Sequence, residues 1–358
     1  MTMTSLPDAC DTDRDLFPND DSTPSLERTT MTNPQNIFRR FLGKETARLA
    51  LAGTAVALGL VGCGPTFDPA SLIKTTRVLG ARVVAGAGTD SPTRAAPAPG
   101  ESATVTWLVE SPAETPPLGW AFALCAPAAA STRLDCGSAP FAVFEGTENP
   151  PRMTITAPDA AALGAAQNLL LYGRVCVESM PAFDPTSGLP SCSDGKPGTT
   201  ATATLLVAGP TVANHNPTAD RGFTFDGAAW PATAPGEDPC AVGAAVPRVS
   251  AGTQKHAIGI ATTGADREAY TVLYGDPPVE TAKRESLQIS QFATAGEFKS
   301  PYTFVEGSDE TVDPVGEARW DAPKVKDLSV ATAVQFTFVV HDGRGGTDWT
   351  TRTACAVP

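Results

Sequence analysis

The residues best suited to chemistry in this 358-residue sequence are its eight cysteines and three histidines. Cys125, Cys136, Cys176, Cys192, Cys240 and Cys355 all follow Cys63, and none of them sits in a C-x-x-C pair. That spacing speaks against a zinc knot or a dithiol redox motif. An even set of six points to disulfides, with 15 connectivities open. Pairing neighbours is the economical expectation: Cys125 with Cys136, Cys176 with Cys192, and Cys240 with Cys355. A cross-strand Cys125–Cys176 bridge is the alternative. His215, His256 and His341 stand apart, and neither an H-E-x-x-H helix nor a G-x-S-x-G elbow occurs. His341 and Asp342 are adjacent, but neighbours on a strand point to opposite faces. Asp342 and Asp348 flank a glycine-rich turn and offer two carboxylates, where calcium takes six to eight oxygens. Gly195-Lys196-Pro197-Gly198-Thr199-Thr200 lacks the order of a phosphate loop. Trp107 and Trp120 lie on apolar strand faces and read as core. Trp230, Trp320 and Trp349 read as loop residues, available to stack on sugar rings. The run Glu306, Asp309, Glu310 and Asp313 reads as a solvated acidic loop.

Cys63 has a different setting. Arg39, Arg40, Lys44 and Arg48 precede an uncharged run from Leu49 to Val61, which ends in Leu60-Val61-Gly62-Cys63. A basic stretch, a short apolar stretch and small terminal residues make an export signal. The apolar run is shorter than the ~18–20 residues a membrane-spanning helix needs. The tetrapeptide resembles the lipobox of bacterial lipoproteins. That resemblance implies cleavage before Cys63, acylation of its thiol (palmitate among the acyl chains) and attachment to a membrane. Gly64, with no Asp after the cysteine, implies the outer membrane, on a periplasmic or surface face. Residues 1–30 then read as a disordered leader or a mis-assigned start, 31–62 as the signal peptide and 63–72 as a lipidated tether.

Residues 1–62 carry 8 of the 39 acidic and 6 of the 26 basic residues, which leaves the remainder at a net charge of −11. Such a surface repels phosphate backbones, so nucleic acid is not an expected partner. Thr, Val, Ala, Pro and Gly dominate, and helical periodicity is nearly absent, which predicts an all-β fold. Period-2 alternation is clearest at Ser102–Val109, Gly119–Cys125 and Ala333–His341. Further strands are expected at 74–85, 141–144, 152–156, 168–178, 200–208, 222–226, 255–262, 270–274, 286–292, 302–305 and 350–357, with a helical turn at 159–166. Cys125 and Cys176 fall opposite the apolar faces of their strands, which places their bridges on the outside as loop staples.

Short strands and frequent turns read as two immunoglobulin-like β-sandwich domains, 73–208 and 215–358, joined by a linker at 209–214. His341-Asp342-Gly343-Arg344-Gly345-Gly346-Thr347-Asp348-Trp349 resembles the last hairpin of PKD-like and cadherin-like repeats. Asn214-His215-Asn216-Pro217-Thr218-Ala219-Asp220 resembles the start of such a repeat. The resemblance implies an extracytoplasmic β-sandwich and no activity of its own. The expected role is therefore non-enzymatic: a lipid-anchored envelope protein, structural, adhesive or binding, without cofactor or metal. It would meet a protein or glycan partner through loops of a distal second domain. The alternatives are a secreted glycan- or peptide-cleaving hydrolase and a calcium-stabilised adhesin.

Overall fold

A computed structural model describes residues 68–88, 92–127, 136–137, 139–164, 168–183, 190–207, 214–234, 236–274 and 279–358. The leader, the signal peptide, Cys63 and linker residues 209–213 lie outside this set. The described fold is all-β, built from mostly antiparallel sheets, with β12 added in parallel to β21, around two hydrophobic cores.

The N-terminal strands are β1 (Arg77–Ala85), β2 (Ser102–Glu110), β3 (Leu118–Cys125), β4 (Ala142–Gly146), β5 (Arg152–Thr156), β6 (Asn168–Val177), β7 (Pro181–Phe183), β8 (Pro190–Cys192) and β9 (Thr199–Leu206). The order β1-β2-β5 makes one sheet and β4-β3-β6-β9 the other. Alternation decides the inner faces. Ala103, Val105, Trp107 and Val109 of β2 meet Trp120, Phe122 and Leu124 of β3 in one core. Trp107 stacks on Phe122 across it, with ring centroids 4.4 Å apart. Between β5 and β6 runs the one-turn helix α1 (Ala160–Leu163), whose first turn is capped by the Asp159 carboxylate accepting from the Ala162 N–H at 2.8 Å.

The C-terminal strands are β10 (Phe223–Phe225), β11 (Ala228–Ala229), β12 (Arg248–Ser250), β13 (His256–Ala261), β14 (Ala269–Tyr274), β15 (Val279–Arg284), β16 (Leu287–Ala293), β17 (Glu297–Phe298), β18 (Tyr302–Val305), β19 (Val315–Asp321), β20 (Thr332–His341) and β21 (Thr347–Val357). They form the sheets β11-β10-β13-β19-β17 and β12-β21-β20-β16-β18, with β14 and β15 as a separate hairpin. Val334, Phe336, Phe338 and Val340 of β20 point into a core rich in aromatic rings.

All three bridges join neighbours: Cys125–Cys136, Cys176–Cys192 and Cys240–Cys355. Their setting corrects one expectation. Cys125 and Cys176 do face away from the first core, yet both are fully buried, as is every residue of β3. The β7–β8 hairpin folds over this outer face. A Cβ on Gly119 would come within 2.2 Å of the Ser179 carbonyl oxygen, so the staples cover a second buried layer.

The tether boundary also shifts. Ser71 and Ile73 are buried, and Leu72 forms a parallel bridge with Ala293 at the end of β16. The Ile73 N–H donates to the Ala293 carbonyl at 2.8 Å, and the Ala293 N–H to the Ser71 carbonyl at 2.9 Å. The arm before β1 is therefore docked on the second sheet pair.

Candidate binding site

Residues 214–220 and the turn and second strand of the β20–β21 hairpin meet in space. Asn214–Asn216 runs beside residues 93–95: the Ala95 N–H donates to the Asn214 carbonyl at 2.7 Å, and the Asn216 N–H to the Thr93 carbonyl at 2.8 Å. The end of the expected linker is thus a hydrogen-bonded seam. The Asn216 side chain joins three segments. Its Nδ2 donates to the Val83 carbonyl at 2.7 Å and to Thr93 Oγ1 at 3.0 Å, and its Oδ1 accepts from the Thr347 N–H at 2.9 Å. Asp348 closes the same seam. Its Oδ1 accepts from Arg82 Nη1 at 2.7 Å, its Oδ2 from the Ala219 N–H at 3.0 Å, and the Arg82 guanidinium lies over the Trp349 ring.

Adjacent residues of the β20–β21 hairpin face opposite ways. Asp342 turns inward, where its Oδ1 accepts from the Arg344 N–H at 2.7 Å and the Gly346 N–H at 2.9 Å. Its Oδ2 is buried and has no hydrogen-bond partner among the described residues. Burial pushes the Asp342 carboxyl up, against the opposing pull of the two N–H groups and of the nearby Asn214 side chain. Glu285 is buried beside it, accepting from Arg344 Nη1 at 2.8 Å and from the Glu268 N–H at 3.0 Å. Its pKa is pushed up to about 8, first by burial and then by the Asp342 charge. His215 Nδ1 meets Glu268 Oε1 at 2.5 Å, and Arg344 also lies over the Tyr270 ring. The network of Glu268, Glu285, Asp342, Arg344 and His215 orders the hairpin turn. Glu285 and Asp342 are its buried members, while His215, Glu268 and Arg344 are partly exposed.

His341 faces the other side of the turn. Its Nδ1 lies 3.0 Å from Thr347 Oγ1, and burial pushes its pKa down, toward the neutral ring. His341, Gly345 and Thr347 form one wall of a cavity of about 380 Å³, whose other walls are β1 at Val78–Val83, Trp107, and β9 at Thr200–Thr204. Close backbone approach shapes this cavity. A Cβ on Gly80 would sit 3.2 Å from Val339 Cγ1, and one on Gly345 would sit 3.4 Å from the Thr204 carbonyl oxygen. The volume falls at the small end of the ~300–1,000 Å³ typical of ligand pockets.

Several expected site residues have other duties. Trp230 and Trp320 are fully buried in the second core, which overturns their reading as loop residues open to sugars. Trp230 Nε1 donates to the Thr353 carbonyl at 2.8 Å, and Trp320 lies on β19. Trp349 is half-buried under Arg82. Asp342 and Asp348 bind different backbone groups and do not converge on one point. Among the described residues, no group of three or more His, Cys, Asp and Glu side chains has the arrangement of a metal site. The acidic loop wraps a cation: carbonyls of Glu306, Asp309 and Thr311 accept from the buried Arg267 guanidinium at 2.8–2.9 Å. Sequence reasoning missed Glu285, Arg344, Asn216 and the cavity-lining threonines. Gly80, inside an otherwise regular strand pattern, was the available signal, because a strand glycine marks a bulge or a close backbone approach.

The sequence matches no protein-family profile and no curated protein. Among solved structures it is similar to Escherichia coli alpha-2-macroglobulin activated by porcine elastase, at 8% identity and a TM-score of 0.21, over 79% of this chain and 22% of that chain. A likeness this weak carries no argument about function.

Proposed function

We propose that this is a lipid-anchored protein of the bacterial envelope, acylated at Cys63, exported to an oxidising compartment and non-enzymatic, with a structural, adhesive or binding role. The observation that carries the reading is Leu60-Val61-Gly62-Cys63 at the end of a basic and then apolar signal. Three disulfides downstream support it, because structural disulfides persist outside the reducing cytosol. On this reading the two cores belong to two immunoglobulin-like domains, the second PKD-like, and the outer membrane is the site of attachment. Among the described residues no helix is long and apolar enough to cross a membrane.

The test is the intact mass of the membrane-extracted protein beside a Cys63→Ala variant, with cell fractionation of both. The expected result is a chain beginning at Cys63 with a diacylglycerol-sized addition, and release of the variant from the membrane fraction. An unmodified Cys63, or a cytoplasmic chain with free thiols, overturns the reading.

A further inference from the structure

The cavity between β1 and β9 has walls that core packing leaves unused. Among the described residues, β1 pairs only with β2 and β9 only with β6, so each stands at the end of its sheet with one edge outside the ladder. The two strands approach at one end, where Thr199 Oγ1 donates to the Thr76 carbonyl at 3.3 Å. The β1 ladder then slips between Val78 and Gly80, and the strands part around the cavity. Further along, both edges are covered again. The Val83 carbonyl accepts from Asn216, the Ala85 N–H donates to the Arg94 carbonyl, and Gly345 sits against Thr204. A window remains at Leu79–Ala81 of one strand and Thr200–Thr202 of the other.

Two more observations define what this window accepts. Trp107 lines the cavity, is buried, and its Nε1–H has no hydrogen-bond partner among the described residues. A buried N–H left in this way is costly unless an acceptor reaches it. The lining otherwise consists of aliphatic, threonine and glycine residues, with His341 its one titratable side chain. We propose that the cavity binds a short, uncharged, extended peptide of a partner, whose main chain pairs with the open edges at Leu79–Ala81 and Thr200–Thr202 and whose carbonyl accepts from Trp107 Nε1. Strand edges present N–H and C=O groups in a row, and the chemistry that matches such a row is another main chain. The inference rests on the cavity alone, so its failure leaves the reading of Cys63 untouched.

The probe is the capped tetrapeptide acetyl-Val-Thr-Val-Thr-amide, titrated into the ¹⁵N-labelled full chain carrying Cys63→Ala. The readout is the Trp107 indole N–H resonance, identified by its loss in Trp107→Phe. The expected result is a saturable shift of that signal, with affinity lowered at least about tenfold in Thr202→Trp, which places a bulky side chain on the β9 edge of the window. The indole signals of Trp120, Trp230, Trp320 and Trp349 report whether that variant keeps its fold. A peptide of the same sequence with N-methylated amides is expected not to bind. No shift at millimolar peptide overturns the proposal. So does equal binding by the N-methylated peptide, or unchanged affinity in a folded Thr202→Trp variant.

Discussion

The core between β2 and β3 is mostly aliphatic, with Trp107, Trp120 and Phe122 as its fully buried rings. The core between β13 and β20 holds Phe223, Phe225, Trp230, Phe298, Trp320, Phe336 and Phe338, most of them in edge-to-face contact. Covalent support is distributed the other way. The aliphatic core has two bridges that close short loops, with sequence separations of 11 and 16, and the aromatic core has one that spans 115. Rings bury much area per residue and add directional contacts, so the second sheet pair draws its cohesion from packing. The first spends its cysteines on holding loops against the outside of a sheet. The difference teaches that the two regions should respond to different insults: the first to reduction of local staples, the second to loss of one long tie or of ring contacts.

The largest expected effect comes from breaking the long tie. Replacing Cys240 and Cys355 together by Ser removes a loop constraint worth about 5 kcal/mol by chain entropy, measured by urea denaturation. If the two sheet pairs unfold independently, only one of two transitions moves. A single transition that shifts as a whole means that the seam couples them. Removing Cys176–Cys192 in the same way should cost about 3 kcal/mol and expose the β7–β8 hairpin to proteolysis before any other segment. Unchanged protease resistance would show that the hairpin holds its place by packing alone.

Asn216→Ala acts on the seam itself. It leaves the Thr347 N–H without its acceptor and the Val83 carbonyl without its donor, at a cost of roughly 1–3 kcal/mol, and should separate the two unfolding transitions. A cost near zero would mean that water replaces the side chain. A pH slope is expected as well. Glu285 has its pKa pushed up to about 8 from 4.5, so the fold keeps a proton that the unfolded chain has released. Its contribution to stability therefore falls as pH rises from about 4.5 to about 8, and is level outside that window. In Glu285→Gln this slope disappears, so the variant gains on the parent across that window in paired thermal melts. A constant difference would show that Glu285 titrates normally.

Strands that alternate with large inward residues, such as β2 and β20, were legible in the sequence. Two were not. β19 reads Val-Gly-Glu-Ala-Arg-Trp-Asp, and its inward positions are Gly316, Ala318 and Trp320. Gly316 stays small because a Cβ there would come within 2.8 Å of Ile289 Cδ1, so tight packing itself erased the apolar pattern. β15 is exposed at every position and pairs only with β14, so no buried face wrote a period into it. Trp230 was misread for a related reason. It follows β11 in an irregular stretch, and its N–H donates back to the Phe223 carbonyl, which swings the indole over the core. The cavity was invisible because edge strands and their spacing are tertiary facts. The hairpin motif was visible as a turn, while its partners Glu268 and Glu285 lie more than fifty residues away.

The docked arm has a mechanical consequence. Arg77 clamps it, donating to the Ala70 carbonyl at 2.6 Å and lying over the Phe292 ring, while Leu72 bridges Ala293. A pull applied ahead of residue 68 enters at β16 and crosses β20 to reach β21. While that arm stays seated, part of the load also passes to the first sheet pair through Arg77, the first residue of β1. The two hydrogen bonds at Ala293 then act as a mechanical fuse, and after they part the tension runs along the chain into β1.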